Sequence, residues 1–163
     1  MGELFEVPSC DKCRNPAILH QIYSGRSMCG AHLADSVRKK ASKALRQQLQ
    51  IPKGKHTTIL VAISGGKDSA VLLERIHENL SKRRDVTIVA GCVDEGIEGY
   101  RPPSLECARE LAESLGVRFE TVSYPELGFK EMDQVVTKMA EIKDRKAPCS
   151  YCGVFRRQGI NPV

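Results

Sequence analysis

A chain of 163 residues, 41% of them hydrophobic and none of them Trp, suits one α/β domain with a small module beside it. No apolar run reaches the length of a membrane span and the N-terminus lacks the h-region of a signal peptide, so the expected setting is the cytoplasm, with no membrane partner. Seven cysteines in that compartment point to metal or catalysis rather than disulfides, and the net charge of +5 is modest but unevenly placed.

Residues 1–32 read as a zinc-binding finger. Cys10-x-x-Cys13 and Cys29-x-x-His32, separated by 15 residues, offer two short pairs that each hold one side of a tetrahedron. Four protein ligands leave no open position for catalysis. The segment has few large apolar residues, so its fold is expected to depend on the metal. His20 lies between the pairs and fits neither.

Residues 33–56 read as a basic helix and linker. Leu33, Val37, Ala41, Ala44, Leu45 and Leu49 recur at three- and four-residue steps and give one apolar face. Arg38, Lys39, Lys40, Lys43, Arg46, Lys53 and Lys55 follow one another with no acidic residue among them. Such a block is either a nucleic-acid surface or a solvated helix face. Ile51-Pro52-Lys53-Gly54-Lys55 ends the helix.

Residues 57–163 read as a nucleotide-binding α/β domain. The run from Thr57 to Ile63 predicts a buried strand, Ser64-Gly65-Gly66-Lys67-Asp68-Ser69 a glycine turn, and the Leu/Val-rich residues after it a helix ending near Ser81. Strand, turn and helix N-terminus make an anion site: unpaired N–H groups and the helix dipole face the ligand, Ser64 and Ser69 add hydroxyls, and Lys67 adds a full charge. The Walker pattern is absent. In the helix, Leu72, Leu73, Ile76 and Leu80 form the predicted core stripe.

Val86–Val93 is a second predicted strand, with Cys92 packed as a small apolar residue. Asp94 at its carboxyl end stands where a doubly wound domain meets the ribose or adenine of a nucleotide, or else serves as a turn or cap residue. Pro102 and Pro103 open a helix whose inward face is Leu105, Ala108, Leu111, Ala112 and Leu115, with Cys107 beside it in a structural role. Val117–Val122 alternates as a third strand near the sheet edge, and Met132–Ile142 predicts a further helix. Strands alternating with helices indicate a parallel sheet with right-handed crossovers. Cys149-x-x-Cys152 then precedes a helical stretch carrying Arg156 and Arg157. Cations and a helix N-terminus favour a reactive thiolate, so the pair is a redox or persulfide-carrying couple, two ligands of a metal cluster, or structural.

Ser64–Ser69 resembles the pyrophosphate (PP) loop of ATP pyrophosphatases, which split ATP between its α and β phosphates. Taken with the finger, Val93-Asp94-Glu95-Gly96-Ile97, Gly99-Tyr100-Arg101 and Pro148–Arg157, the chain from Cys10 to about Arg157 resembles the TtuA-type cytosolic tRNA 2-thiolation family. The resemblance implies a doubly wound, adenine nucleotide alpha hydrolase-like sheet and adenylation of C2 of a tRNA uridine, at position 34 in preference to 54, followed by sulfur insertion. It implies ATP and Mg²⁺ at Ser64, Gly65, Gly66, Lys67, Asp68, Ser69, Asp94 and Arg156, with Lys67, Asp68 and Cys149 catalytic. It also implies an iron–sulfur cluster on Cys149 and Cys152, Zn²⁺ on Cys10, Cys13, Cys29 and His32, and a ubiquitin-like sulfur carrier as partner. The family continues into a Gly-His-Asn-x-Asp-Asp segment, a third cluster cysteine and a second finger that this sequence lacks. The expectation is an N-terminal portion with an incomplete sheet, working as a homodimer or with a complementing C-terminal half. The alternatives are another tRNA-modifying PP-loop enzyme, which has no need of paired thiols, a non-catalytic tRNA-binding half, and a nucleotide sensor.

Overall fold

The computed structural model describes residues 8–142 and 146–161. The chain divides into two compact units, Met1–Gln50 and Ile51–Val163.

In the first unit, β1 (Leu19–Gln21) pairs antiparallel with β2 (Arg26–Met28), and α1 follows over Gly30–Gln48. The hairpin, which periodicity alone did not disclose, turns at Gly25 with φ of 63°. Its interior is small: Cys10, Ala17, Met28 and Cys29 are the buried apolar residues among those described. A core of two cysteines, an alanine and a methionine buries too little surface to hold a fold unaided. The apolar stripe of α1 is half-covered at Leu33, Ala41, Ala44, Leu45 and Leu49, and Val37 is exposed. No residue of that helix is fully buried, so its expected core face is a partly wetted one.

The second unit runs β3 (Thr57–Ala62), α2 (Lys67–Leu80), β4 (Val86–Asp94), α3 (Arg101–Ser114), β5 (Arg118–Ser123), a single 3-10 turn (Pro125–Leu127), α4 (Met132–Glu141) and α5 (Pro148–Ile160). The strands form one parallel sheet in the order β3-β4-β5, with Thr57 opposite Val86 and Val89 opposite Arg118. The central strand is the most apolar and the most buried, from Val89 to Val93. On α2, Leu73, Ile76 and Leu80 are buried, at the i, i+3, i+7 spacing of one helix face.

Three expectations are corrected. Leu72 is not core: it lies beside Val71 on the exposed side of α2, because a rotation of about 100° per residue leaves room for only one of two adjacent leucines on the buried stripe. Cys107 is exposed on α3 and is not among the buried residues of that helix. On α4, Met132 and Met139 are buried, whereas Val136 and Ile142 are exposed.

Candidate functional site

In a parallel sheet, ligands gather at the carboxyl ends of the strands, and the loops after β3 and β4 meet there. Ser64 leaves β3, Gly65 turns with φ of +81°, and Gly66 caps α2 from an extended conformation. Gly65 is obligatory for two reasons. A Cβ there would sit 2.1 Å from the Ser104 carbonyl oxygen, and the left-handed conformation disfavours any side chain. Gly66 has room for a Cβ, 3.5 Å from Ser64 Oγ. The loop is held by its own hydroxyls: Ser69 Oγ donates to the Gly66 carbonyl at 2.8 Å, accepts from Ser64 N–H at 3.2 Å, and lies 3.2 Å from Ser64 Oγ.

A cavity of about 160 Å³ opens beside this loop, lined by Ser64, Ser69, Val93, Glu95, Arg101 and Arg156 among others. Its floor is charged. The carboxylate of Glu95, buried to 1% exposure, sits between two guanidinium groups: Arg101 Nε is 2.8 Å from Oε2, and Arg156 Nη2 contacts Oε1. The Arg101 N–H is not aligned on that oxygen, so the contact is an ion pair rather than a hydrogen bond. Arg101 is itself buried and donates to Cys92 Sγ at 2.8 Å, to the Val93 carbonyl, and at 3.4 Å to the carbonyl of Ser64. The guanidinium therefore ties the glycine loop to the end of β4. Cys92 is buried as expected, but in a polar role: its Sγ also donates to the Ile63 carbonyl at 2.8 Å. Burial pushes the Cys92 thiol up, against the pull of Arg101.

Helix α5 brings the second motif to the same place. Proline at its first turn presets the backbone. Cys149 in that turn is exposed, and Cys152 is half-buried. Arg156, one turn beyond Cys152, reaches back to Cys152 Sγ at 3.6 Å while holding Glu95. Burial is the largest influence and opposes its charge, but the Glu95 carboxylate together with Cys152 and Tyr124 holds the guanidinium above its ordinary range. From the other side, Tyr124, fully buried, places its hydroxyl 3.0 Å from the Cys152 carbonyl and 3.4 Å from its Sγ. Desolvation, then the Cys152 sulfur, push that phenol well above the usual tyrosine range.

Of the residues singled out from sequence, the cavity brings together Ser64, Ser69 and Arg156, with Cys152 in contact with Arg156. Lys67 and Asp68 head α2 but point outward, 3.6 Å from each other and about nine-tenths exposed. Asp94 accepts the Gly96 N–H at 3.0 Å and lines a separate acidic hollow with Glu98, Glu131 and Asp133. Sequence reasoning missed Glu95, Arg101 and Tyr124 as site residues. The first two had a signal, since a buried arginine needs a carboxylate and they stand six residues apart in Val93–Ile97 and Gly99–Arg101. Tyr124 had none.

In the first unit, Cys10, Cys13, Cys29 and His32 converge, every ligand atom within 4.8 Å of the others. His32 Nδ1 stands 3.3 Å from the sulfurs of Cys10 and Cys29 and 3.4 Å from that of Cys13, and the Cys13 and Cys29 sulfurs are 3.6 Å apart. Zinc–thiolate bonds of 2.3 Å at tetrahedral angles put the sulfurs about 3.8 Å apart, so the donor set fits that ion. Burial works against a Cys10 thiolate, but the backbone N–H groups of Cys29, Lys12 and Cys13 and the His32 ring bring the group down to about 6. His20 lies outside the cluster, its Nδ1 3.0 Å from Ser27 Oγ. Among the described residues no third ligand joins Cys149 and Cys152, which fit two positions of a metal cluster by donor chemistry and spacing.

No family model matches the chain. Over 152 residues it is 38% identical to the tRNA 2-thiolation protein NcsA of Haloferax volcanii, covering 91% of this chain and 46% of that one. Over 156 residues it is 32% identical to the cytoplasmic tRNA 2-thiolation protein 1 of Mus musculus, covering 94% of this chain and 36% of that one. Over most of its length the chain is a homologue of the tRNA 2-thiolation proteins. It spans about half the length, or less, of these curated relatives. The fold is likewise theirs: the U34-tRNA thiolase NcsA from Methanococcus maripaludis, solved with its [4Fe-4S] cluster, superposes with a TM-score of 0.73 at 31% identity, over 92% of this chain and 48% of that one.

Proposed function

We propose that this chain forms the ATP-binding and sulfur-handling part of a tRNA 2-thiouridine synthetase acting on uridine 34. One observation carries the reading: the Ser64–Ser69 loop and the Cys149/Cys152 helix meet at one cavity, joined through Glu95 and Arg156.

ATP phosphates would lie against the N–H groups of the first turn of α2 and the hydroxyls of Ser64 and Ser69. Lys67 would turn in to the β and γ phosphates, Asp68 would hold Mg²⁺, and Arg156 would face the α-phosphate. Asp94 remains the candidate for the nucleoside end. The uridine O2 attacks the α-phosphate and pyrophosphate leaves. Sulfur, as a thiolate or hydrosulfide, then attacks C2, and AMP leaves with the former O2. Cys149 and Cys152 would supply two ligands of an iron–sulfur cluster, which when bound offers incoming sulfur a soft Lewis-acidic metal. Cys149, the exposed member, would be the one to take part directly.

The finger, with Zn²⁺ on Cys10, Cys13, Cys29 and His32, and the basic helix α1 would hold tRNA. The reading takes the chain to be cytoplasmic, in line with the names of its eukaryotic relatives, and no described helix is long and apolar enough to cross a membrane. A ubiquitin-like sulfur carrier is the proposed donor. A second segment or copy, either a complementing half or a homodimer partner, would complete the sheet. Among the described residues no strand pairs with the outer edge of β3, and Thr58, Ala62, Val71 and Leu72 are exposed.

Thin-layer assay of AMP and pyrophosphate from labelled ATP tests the reading. Formation of both that requires tRNA and is lost in Lys67→Ala supports it; ATP bound but never split, with or without tRNA, overturns adenylation by this chain.

A further inference from the structure

The tip of the β1–β2 hairpin offers two large side chains to solvent: Ile22 is 91% and Tyr23 76% exposed. The loop that carries them, residues 22–25, is a built turn. The Ser24 N–H donates to the Gln21 carbonyl at 3.1 Å, Ser24 Oγ donates to Gln21 Oε1 at 3.1 Å, and Gly25 supplies the left-handed residue. Ordering this tip against a ligand therefore costs little backbone entropy.

Helix α1 meets the tip with charge. Lys40 Nζ donates to Tyr23 Oη at 3.0 Å and lies 5.4 Å from the ring centre. At those distances the ammonium stands beyond the hydroxyl end of the ring rather than above a face, so the faces stay clear of it. Lys43, also exposed, follows Lys40 at the three-residue step that shares a helix side, and exposed Arg26 flanks the loop at the start of β2. Residues 1–50 hold eight lysines and arginines against four acidic residues, so most of the net charge of +5 lies in this unit.

We infer that Tyr23 is a stacking platform for an unpaired base of tRNA, with Lys40 and Lys43 on the phosphates that flank it. The inference rests on the reading of this unit as the tRNA-holding module and names a contact within it.

Unpaired bases are recognised by stacking on aromatic side chains, while cations beside the ring take the backbone charge. An exposed ring with clear faces, edged by ammonium groups on a net-basic unit, matches that pairing of chemistries. An apolar protein groove would accept Ile22 and Tyr23 but would desolvate Lys40 and Lys43 with nothing to pair them. RNA satisfies both halves of the patch.

The test is binding of unmodified, labelled tRNA to the whole zinc-loaded chain, followed by fluorescence anisotropy over a range of salt concentrations. Tyr23→Ala should raise Kd about tenfold with the salt slope unchanged, and Tyr23→Phe, which keeps the ring, should stay within twofold of the parent chain. Lys43→Ala should instead lower the salt slope by about one. The chain has no Trp, so Tyr23→Trp places a single indole at the tip. Its emission should be quenched by tRNA and not by heparin, a polyanion without bases. Zinc content of each variant checks that the finger is intact. A Kd for Tyr23→Ala within twofold of the parent chain, or equal quenching by heparin, overturns the inference while the tRNA-holding reading stands, and it would turn the tip over to a protein partner. A parent chain that binds no tRNA overturns both, so the two failures are told apart.

Discussion

Arg101 Nε and Glu95 Oε2 stand 2.8 Å apart in a site where both side chains are at most 4% exposed, and Arg156 closes on the same carboxylate from α5. A buried carboxylate between two guanidinium groups is costly to desolvate and costlier to break. Arg101→Met leaves Glu95 with only the half-exposed Arg156 and frees the Ser64 carbonyl, so it should destabilise the second unit by about 3–5 kcal/mol. Arg156→Met removes the partner that solvent already reaches and should cost less. Urea unfolding of the three chains gives the order, and a larger loss for Arg156→Met would contradict the arrangement.

The glycine loop makes a steric prediction. Gly65→Ala must accommodate a Cβ 2.1 Å from the Ser104 oxygen in a left-handed conformation. Neither the first turn of α3, which carries Ser104 and Arg101, nor the loop can yield without disturbing Arg101. A loss of about 1–3 kcal/mol is expected, together with loss of ATP binding by calorimetry. Gly66→Ala, with space for its methyl group, should keep most of its stability.

Helix α5 is seated by another glycine. A Cβ on Gly159 would fall 2.8 Å from Leu127 Cδ1 and 3.2 Å from both methyl groups of Val93. Gly159→Ala should lift the helix from β4 at a cost of about 1–3 kcal/mol, and hydrogen exchange over residues 148–160 should quicken.

The finger should contain one zinc ion per chain by elemental analysis. With so few buried apolar groups, Cys29→Ser or a strong chelator should unfold the first unit alone, and limited proteolysis should then cut before Ile51 while the second unit resists. A metal-free chain with an intact first unit would refute the zinc reading.

The residues explain how far the sequence could be read. Strand, loop and α2 were legible because the Thr57–Ser69 run is continuous and its periodicity changes at the glycines. Leu73, Ile76 and Leu80 were legible as a stripe, but Leu72 was not, since adjacent leucines share the same composition and differ only in azimuth. The finger ligands could be read from spacing, and their convergence needs no long-range information. The charged floor was different: Glu95, Arg101 and Arg156 meet only because a crossover and two helices return to one strand end, and no local pattern encodes that meeting. Lys67 stood in the right motif yet points to water, where a long, well-hydrated ammonium is most stable. Tyr124 carries no local signal, because a tyrosine before a proline reads as turn and its partner lies 28 residues on.

In the proposed function the loop and the cysteine pair serve one reaction on tRNA. Its most direct test is anaerobic incubation of the chain with ATP, Mg²⁺, sulfide and unmodified tRNA, followed by mass spectrometry of the digested nucleosides. The expected product is 2-thiouridine that disappears in Lys67→Ala and in Cys149→Ala. Thiolation that persists in both variants, or tRNA recovered unthiolated with no AMP formed, would contradict it.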